Sequence, residues 1–496
     1  MHVTGRYLAE YSRRPLNVAL LVLVPLIFVV LASGVITDFA QIVGTVTDPR
    51  RLAAPTAGWA AAFLSGVSGL FLVLGSRDAD RRLAIAGMHP SLITAARLGT
   101  GLVLATVAAG ASIGALALSA GVTNAAQTVA GTVMFAFMYL GIGVAIGALV
   151  RNDINGSLIV AFIWMIDVFL GPAMAGSDIW TTRLFPSHYV TLFMLDTTSG
   201  HSGDIGDLGW ALLWTLGALV AAAVVFSTAT STHGARLTVR RLKDGPRRVS
   251  AGLRYGLRDY RRNVALWVLL VTLPVFFISL SFYITPNSPA LVELVEDGVA
   301  TMKTLSMIDV HGAIMVPITV AFLAGLSGLF IVQGSLEADA RLVVAGFRPI
   351  EILAARMGTI GLAVLLTTAV SLAVTAVDLA PEIWIWFSIG NVLVAVTYGM
   401  IGVLVGTLFG RLGGLYVMFL LPFIDVGIAQ NIMFSATPPA WGLILPNHGG
   451  VQVLVDAAFT PEFDQLSALA LAVVWLIAVT ALTAVVFRHI ARSRAA

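Results

Sequence analysis

The sequence predicts an all-α polytopic membrane protein: about 12 transmembrane helices as two parallel six-helix repeats, with N and C termini cytoplasmic. Three observations carry this. The first is composition: of 496 residues, 58% are hydrophobic and only 11% charged, with a mean hydropathy of +0.93. A soluble chain of this length could not hide so much apolar surface. The second is a series of about twelve apolar runs long enough to span a bilayer. The third is internal duplication. Phe63 to Thr100 and Phe322 to Thr359 are identical at 23 of 38 positions without a gap, including Gly75/Gly334, Asp80/Asp339, Arg82/Arg341, Gly87/Gly346, Pro90/Pro349 and Arg97/Arg356.

Taken in order, the chain opens on a short amphipathic segment. Tyr7, Leu8 and Tyr11 share one helical face, while Arg6, Glu10, Arg13 and Arg14 lie largely elsewhere, a pattern that suits a helix on the inner leaflet. Spans are expected near 16–33, 57–76, 99–119, 127–150, 155–174 and 209–229. Their counterparts are expected near 264–283, 316–335, 357–377, 386–409, 413–430 and 466–487. The first run reads as a retained span rather than a cleaved signal, because Pro25 recurs as Pro274 in the first span of the second half. Tyr139, Gly143 and Gly147 recur as Tyr398, Gly402 and Gly406, a small-residue spacing that lets helix backbones approach closely. The expected domains are 1–230, a basic cytoplasmic linker at 231–253, and 254–496. Arg240, Arg241, Lys243, Arg247 and Arg248 suit a linker drawn to anionic headgroups or, alternatively, one that docks a protein partner.

Basic residues set the expected orientation. With the amino terminus in the cytoplasm, about 25 of the 29 Lys and Arg residues fall on the cytoplasmic side, leaving Arg50, Arg51, Arg183 and Lys303 outside. Six spans per half is an even number, so the repeats run the same way and imply a pseudo-two-fold axis along the membrane normal. The localisation expected is the bacterial cytoplasmic membrane.

Three polar features stand out from the apolar background. The loop between spans two and three is charged, and it is the best-preserved part of the repeat. Ile166-Asp167-Val168 recurs as Ile424-Asp425-Val426, which puts a carboxylate inside the fifth span of each half. Such a group normally faces protein or water, so it reads either as a pathway group or as a cap on a helix break. Pro186-Ser187-His188 aligns with Pro446-Asn447-His448, which indicates a proline-started helical element at the outer mouth with its histidines hydrogen-bonded. There is no cysteine and no G-x-x-x-x-G-K-[ST] phosphate loop. No nucleophile–base constellation and no dense His/Asp cluster for zinc is visible. Any thermodynamic work must draw on an ion gradient or another subunit.

With these residues in view, each half resembles one membrane domain of an ABC-2-type (type V) exporter permease, and nearly the whole chain is covered except the linker. The features that carry the resemblance are the amphipathic first helix, the charged inner loop and the long outer segment between spans five and six. Two such domains fused in one chain are similar to bacterial antibiotic or drug exporter permeases. The resemblance implies a permease and not an enzyme, moving lipophilic or amphiphilic compounds outward. ATP and Mg would be bound by two copies of a nucleotide-binding ATPase subunit, with no cofactor in this chain and no nucleic-acid partner. It also implies that the inner loops are coupling helices. The first is Arg77, Asp78, Asp80, Arg81, Arg82, Gly87, Met88, His89 and Pro90; the second is Glu337, Asp339, Arg341, Gly346, Phe347, Arg348 and Pro349. Asp167, Asp425, His188 and His448 are expected at the pathway or outer gate. The alternative is a proton-driven transporter of the major facilitator type. Its loop would read G-x-x-x-D-R-x-G-R-R, but here Asp80-Arg81-Arg82 stands one residue too far from Gly75 and no glycine separates the arginines.

Overall fold

A computed structural model describes residues 2–13, 15–43, 49–173, 180–195, 201–231, 264–296, 299–344 and 349–495. Of the expected linker at 231–253 all but Ser231, together with Gly346, Phe347 and Arg348 and the Glu337 side chain, lies outside the described residues. The chain divides into two compact units, Met1–Arg240 and Arg241–Ala496. Among the described residues, ten helices are long and apolar enough to cross a membrane, which makes the chain a multi-pass, predominantly α-helical membrane protein.

The first unit runs α1 (His2–Ser12), α2 (Pro15–Val43), α3 (Pro49–Leu74), α4 (Arg77–Ile85), α5 (Pro90–Ser119), α6 (Ala125–Leu149), α7 (Asp153–Phe169), α8 (His188–Leu195) and α9 (Gly206–Ser231). Its centre is α3, whose apolar window is 83% buried, while that of α9 is 17% buried. Where α3 meets α6, glycine removes the side chain altogether, and an added Cβ at Gly143 would sit inside contact distance of the Gly66 carbonyl. One at Gly147 would lie 2.8 Å from the Leu70 oxygen. The expected small-residue spacing is thus the crossing point of the two helices. Trp164 of α7 donates to the Trp59 carbonyl (2.8 Å) and packs edge-on to Phe63 and Phe28, which fastens α7 to α3 and α2.

The second unit contains α10 (Val264–Ile284), strands β1 (Pro289–Glu296) and β2 (Val299–Ser306), then α11 (Met307–Val344), α12 (Pro349–Thr375), α13 (Trp384–Pro422), α14 (His448–Phe459) and α15 (Leu466–Ala495). Here α11 is the buried centre, at 89% of its window, and α15 the exposed helix, at 17%. Gly402 of α13 meets the Gly325 carbonyl of α11 as Gly143 meets Gly66.

Three features depart from the sequence expectation of twelve spans in an all-α chain. Helix α7 has 17 residues. At 1.5 Å per residue it measures about 26 Å, short of the roughly 30 Å hydrocarbon core. In the second unit the expected fourth and fifth spans run together as α13, interrupted only at Gly410, whose φ of 71° takes the left-handed region open to glycine. A π-helical turn, Phe423–Ala429, continues α13, with the Gln430 amide reaching the Asp425 carbonyl at 3.0 Å. Finally, the first loop of the second unit is an antiparallel β-hairpin in which Pro289 pairs with Ser306 and Glu296 with Val299. Ala290, Val292 and Leu294 point one way along β1 and are buried, the alternation a half-buried strand requires.

Candidate functional site

The charged loop of the first unit is a separate helix, α4, held from behind. Gly87 takes φ 95°, and the Met88 amide reaches back to the Leu83 carbonyl (3.0 Å), closing α4 with a left-handed glycine cap. His89 then caps α5, accepting from the Ser91 amide at 3.4 Å, with Pro90 in the first turn. Asp80 is fully buried. It receives Arg97 Nη2 at 2.8 Å and Arg97 Nε at 3.2 Å to both oxygens, and Ser76 Oγ donates to Oδ2 at 2.8 Å. The Arg97 guanidinium also lies 3.6 Å from the centre of the Tyr7 ring, so α1 is stacked on the same group. Arg77 turns away from solvent and donates to the carbonyls of Gly147 (2.6 Å), Ala148 (2.9 Å) and Val150 (3.1 Å), satisfying the open end of α6. Burial and the neighbouring Arg151 lower its pKa.

These contacts divide the expected coupling set. Asp80 and Arg77 face inward and brace the loop, whereas Asp78, Arg81, Arg82 and Gly87 are exposed, as is His89. Ile85 stands 78% exposed beside them. The second unit repeats the brace: Arg356 Nη2 donates to Asp339 at 2.7 Å and Ser335 Oγ at 2.9 Å, with Arg341 exposed. It does not repeat the break, however. α11 runs without interruption from the span through Asp339 and Arg341, so the expected short second knob is the end of a long helix. Leu336 stands where Arg77 stood, and the Gly406 carbonyl is met instead by Gln333 Nε2.

At the other end of each unit Asp167 is engaged through both carboxylate oxygens, whereas Asp425 is engaged through Oδ2 and keeps Oδ1 buried without a partner. Tyr139 donates to Asp167 at 2.5 Å, and the Ser187 amide donates to its oxygens at 3.1 and 3.2 Å. Tyr398 donates to Asp425 at 3.1 Å, and Asn447 Nδ2 at 3.0 Å. Each carboxylate therefore ties a long helix to the residue that starts a short one, α8 or α14. The histidines that follow differ in partner. His188 is buried, with Nε2 3.1 Å from His201 Nε2, while His448 Nδ1 meets Gln430 Oε1 at 2.9 Å and Gln430 donates onward to the Gly442 carbonyl. Burial lowers the His448 pKa.

Sequence reasoning missed Arg97 and Arg356 as partners of the loop aspartates, and Tyr139 and Tyr398 as donors to the span aspartates. All four had been noted as repeated positions, but none as part of a pair. Among the described residues no group of three or more His, Asp or Glu side chains is placed to hold a metal ion. No family model matches the chain, and neither a curated protein nor a solved structure matches it.

Proposed function

We propose that this chain is the permease of an ATP-driven exporter of the ABC-2 type, with its six-span halves parallel and its termini cytoplasmic. The observation that carries the reading is the braced loop. α4 stands between two spans with Asp78, Arg81, Arg82 and Ile85 outward, while Asp80 and Arg77 fix its back to α5 and α6. A knob fixed to two spans passes a push on its outer face into the membrane, which is what a soluble ATPase partner requires. Two such partners, carrying ATP and Mg, would act on the α4 loop and on the end of α11.

The cargo class follows from the spans. With few charges along them, the pathway suits a lipophilic or amphiphilic compound moving outward past the segments begun by His188 and His448. A second reading, a proton-driven transporter, draws on one observation: Asp167 and Asp425 are carboxylates buried in the membrane region. Copurification in mild detergent followed by ATP hydrolysis separates the two. A retained ATPase subunit at two copies per chain supports the exporter, and a chain that purifies alone and moves cargo on a proton gradient overturns it.

A further inference from the structure

The second unit holds a buried acid that neither reading uses. Asp456 lies in the last turns of α14 and is 2% exposed. Its Oδ2 accepts from the Asp464 amide at 3.3 Å, while Oδ1 is buried with no hydrogen-bond partner. Thr460 Oγ1 donates to the Asp456 backbone carbonyl at 2.7 Å and also lies close enough to the carboxylate to favour its ionised form. Two further carboxylates bear on it, Asp464 from the segment before α15 and Glu296 from the end of β1. Glu296 is itself bridged to Lys303 of β2. The other ionisable groups on the elements packed nearby are Glu293 of β1, Asp309 and His311 at the start of α11, Glu382 before α13 and Glu462 after α14. Of these, Glu382 meets α14 through its backbone amide, donated to Ala458, and Glu462 through its carbonyl, which accepts from Thr460.

A buried carboxylate oxygen without a donor, facing two more carboxylates and one already paired lysine, has a single inexpensive remedy, which is to take up a proton. We propose that Asp456 is a proton-binding site that fastens the β1–β2 hairpin to α14: protonated, it lets Glu296 at the end of β1 close on the helix, and ionised, it repels it. Burial above all, with a smaller push from the charges of Asp464 and Glu296, outweighs the hydrogen bonds from the Asp464 amide and Thr460 and raises its carboxyl to about 6. The sign follows from that direction. The folded-state value is above the ordinary carboxylate range, so the closed hairpin is favoured at acid pH and loses that support as pH rises through about 6.

The chain has no cysteine, so Ala300→Cys on β2 gives a unique attachment point for a nitroxide. In the full chain in nanodiscs, the immobilised fraction of the spectrum should fall between about pH 5 and about pH 8, with its midpoint near 6. Asp456→Asn, which keeps the shape and cannot ionise, should hold the label immobile across the whole range. Glu296→Gln should keep the transition but move its midpoint lower, because one repelling charge is gone. A wild-type spectrum that does not change with pH overturns the proposal, as does a transition that survives Asp456→Asn unaltered. Immobilisation that follows added calcium or magnesium at fixed pH also overturns it, in favour of a metal cation at the cluster.

Discussion

Arg97 grips both carboxylate oxygens of Asp80 while its flat face rests on Tyr7, so one side chain of α5 holds α4 and α1 together. The pair is almost dry, with Asp80 at 0% and the Arg97 side chain at 8% exposure. Removing one partner leaves the other charge buried alone, at a cost of about 3–5 kcal/mol. Arg97→Ala should therefore lower the thermal midpoint in detergent markedly, and Asp80→Asn should do so somewhat less. An unchanged midpoint for both would show that water reaches the pair.

The outward residues of the same loop should behave in the opposite way. Asp78, Arg81 and Arg82 are exposed, so alanine at all three should change stability by no more than about 0.5 kcal/mol per site. If the exporter reading holds, that triple variant loses stimulation of the partner ATPase and loses export while its unfolding curve stays in place. Full export by the triple variant would remove α4 from the coupling route.

Glycine substitutions test the packing directly. Gly143→Ala and Gly402→Ala each drive a methyl group into a facing backbone carbonyl, and overpacking of this kind costs about 1–3 kcal/mol. Gly110→Ala, on α5, meets nothing within 4 Å and should stabilise by about 0.8–1.0 kcal/mol through helix propensity alone. Thermal unfolding of the three variants side by side gives the comparison. Equal effects at all three positions would contradict the crossing described.

Tyr139→Phe removes the donor to Asp167 and leaves the ring in place. A hydrogen bond to a charged group contributes about 1.5–3 kcal/mol, so the variant should loosen the start of α8. Hydrogen exchange across His188–Leu195 should rise by a factor of roughly ten or more for each 1.4 kcal/mol lost. Exchange that rises evenly over the whole unit would instead mean a general loss of folding.

His448 predicts a pH effect of opposite sign to that of Asp456. Burial lowers its pKa below 6.5, so the folded chain favours the neutral ring. The stability this contributes is present above the unfolded value and is lost as pH falls through the folded one. Wild type should lose thermal stability relative to His448→Gln as the buffer is taken from neutral to mildly acid. A constant gap between the two proteins would mean the ring is as solvated folded as unfolded.

How much of this was readable beforehand depends on the range of the interaction. The spans, the glycine crossings and the caps at Gly87 and Pro90 are local, and periodicity and residue chemistry reveal them. The Asp80–Arg97 pair was half visible. Both members recur in the second half, again 17 residues apart, but nothing in the spacing says that the chain doubles back to join them. The Tyr139–Asp167 bond links two helices, and in the sequence its members appear as unrelated features, one of packing and the other a pathway group or a helix cap. The hairpin was half legible: Asp297-Gly298 is a dipeptide favoured in tight turns, but neither Pro289–Glu296 nor Val299–Ser306 alternates cleanly between apolar and polar residues. The unbroken α11 could not be seen, because Gly334 and Ser335 match Gly75 and Ser76, and differences such as Leu336 for Arg77 and Ala340 for Arg81 do not by themselves announce a continuous helix.

The contrast between the central and outermost helices has a practical side. α3 and α11 are enclosed by protein, but α9 and α15 keep only 17% of their apolar windows covered. Each is held along one face only, α9 by Ala222 and Phe226 in the core and α15 by Phe487 and by Thr483, whose hydroxyl donates to the Met400 carbonyl. A detergent that competes for their uncovered faces should loosen α9 and α15 before it disturbs the glycine crossings, so preparations should fail from these outer helices inward.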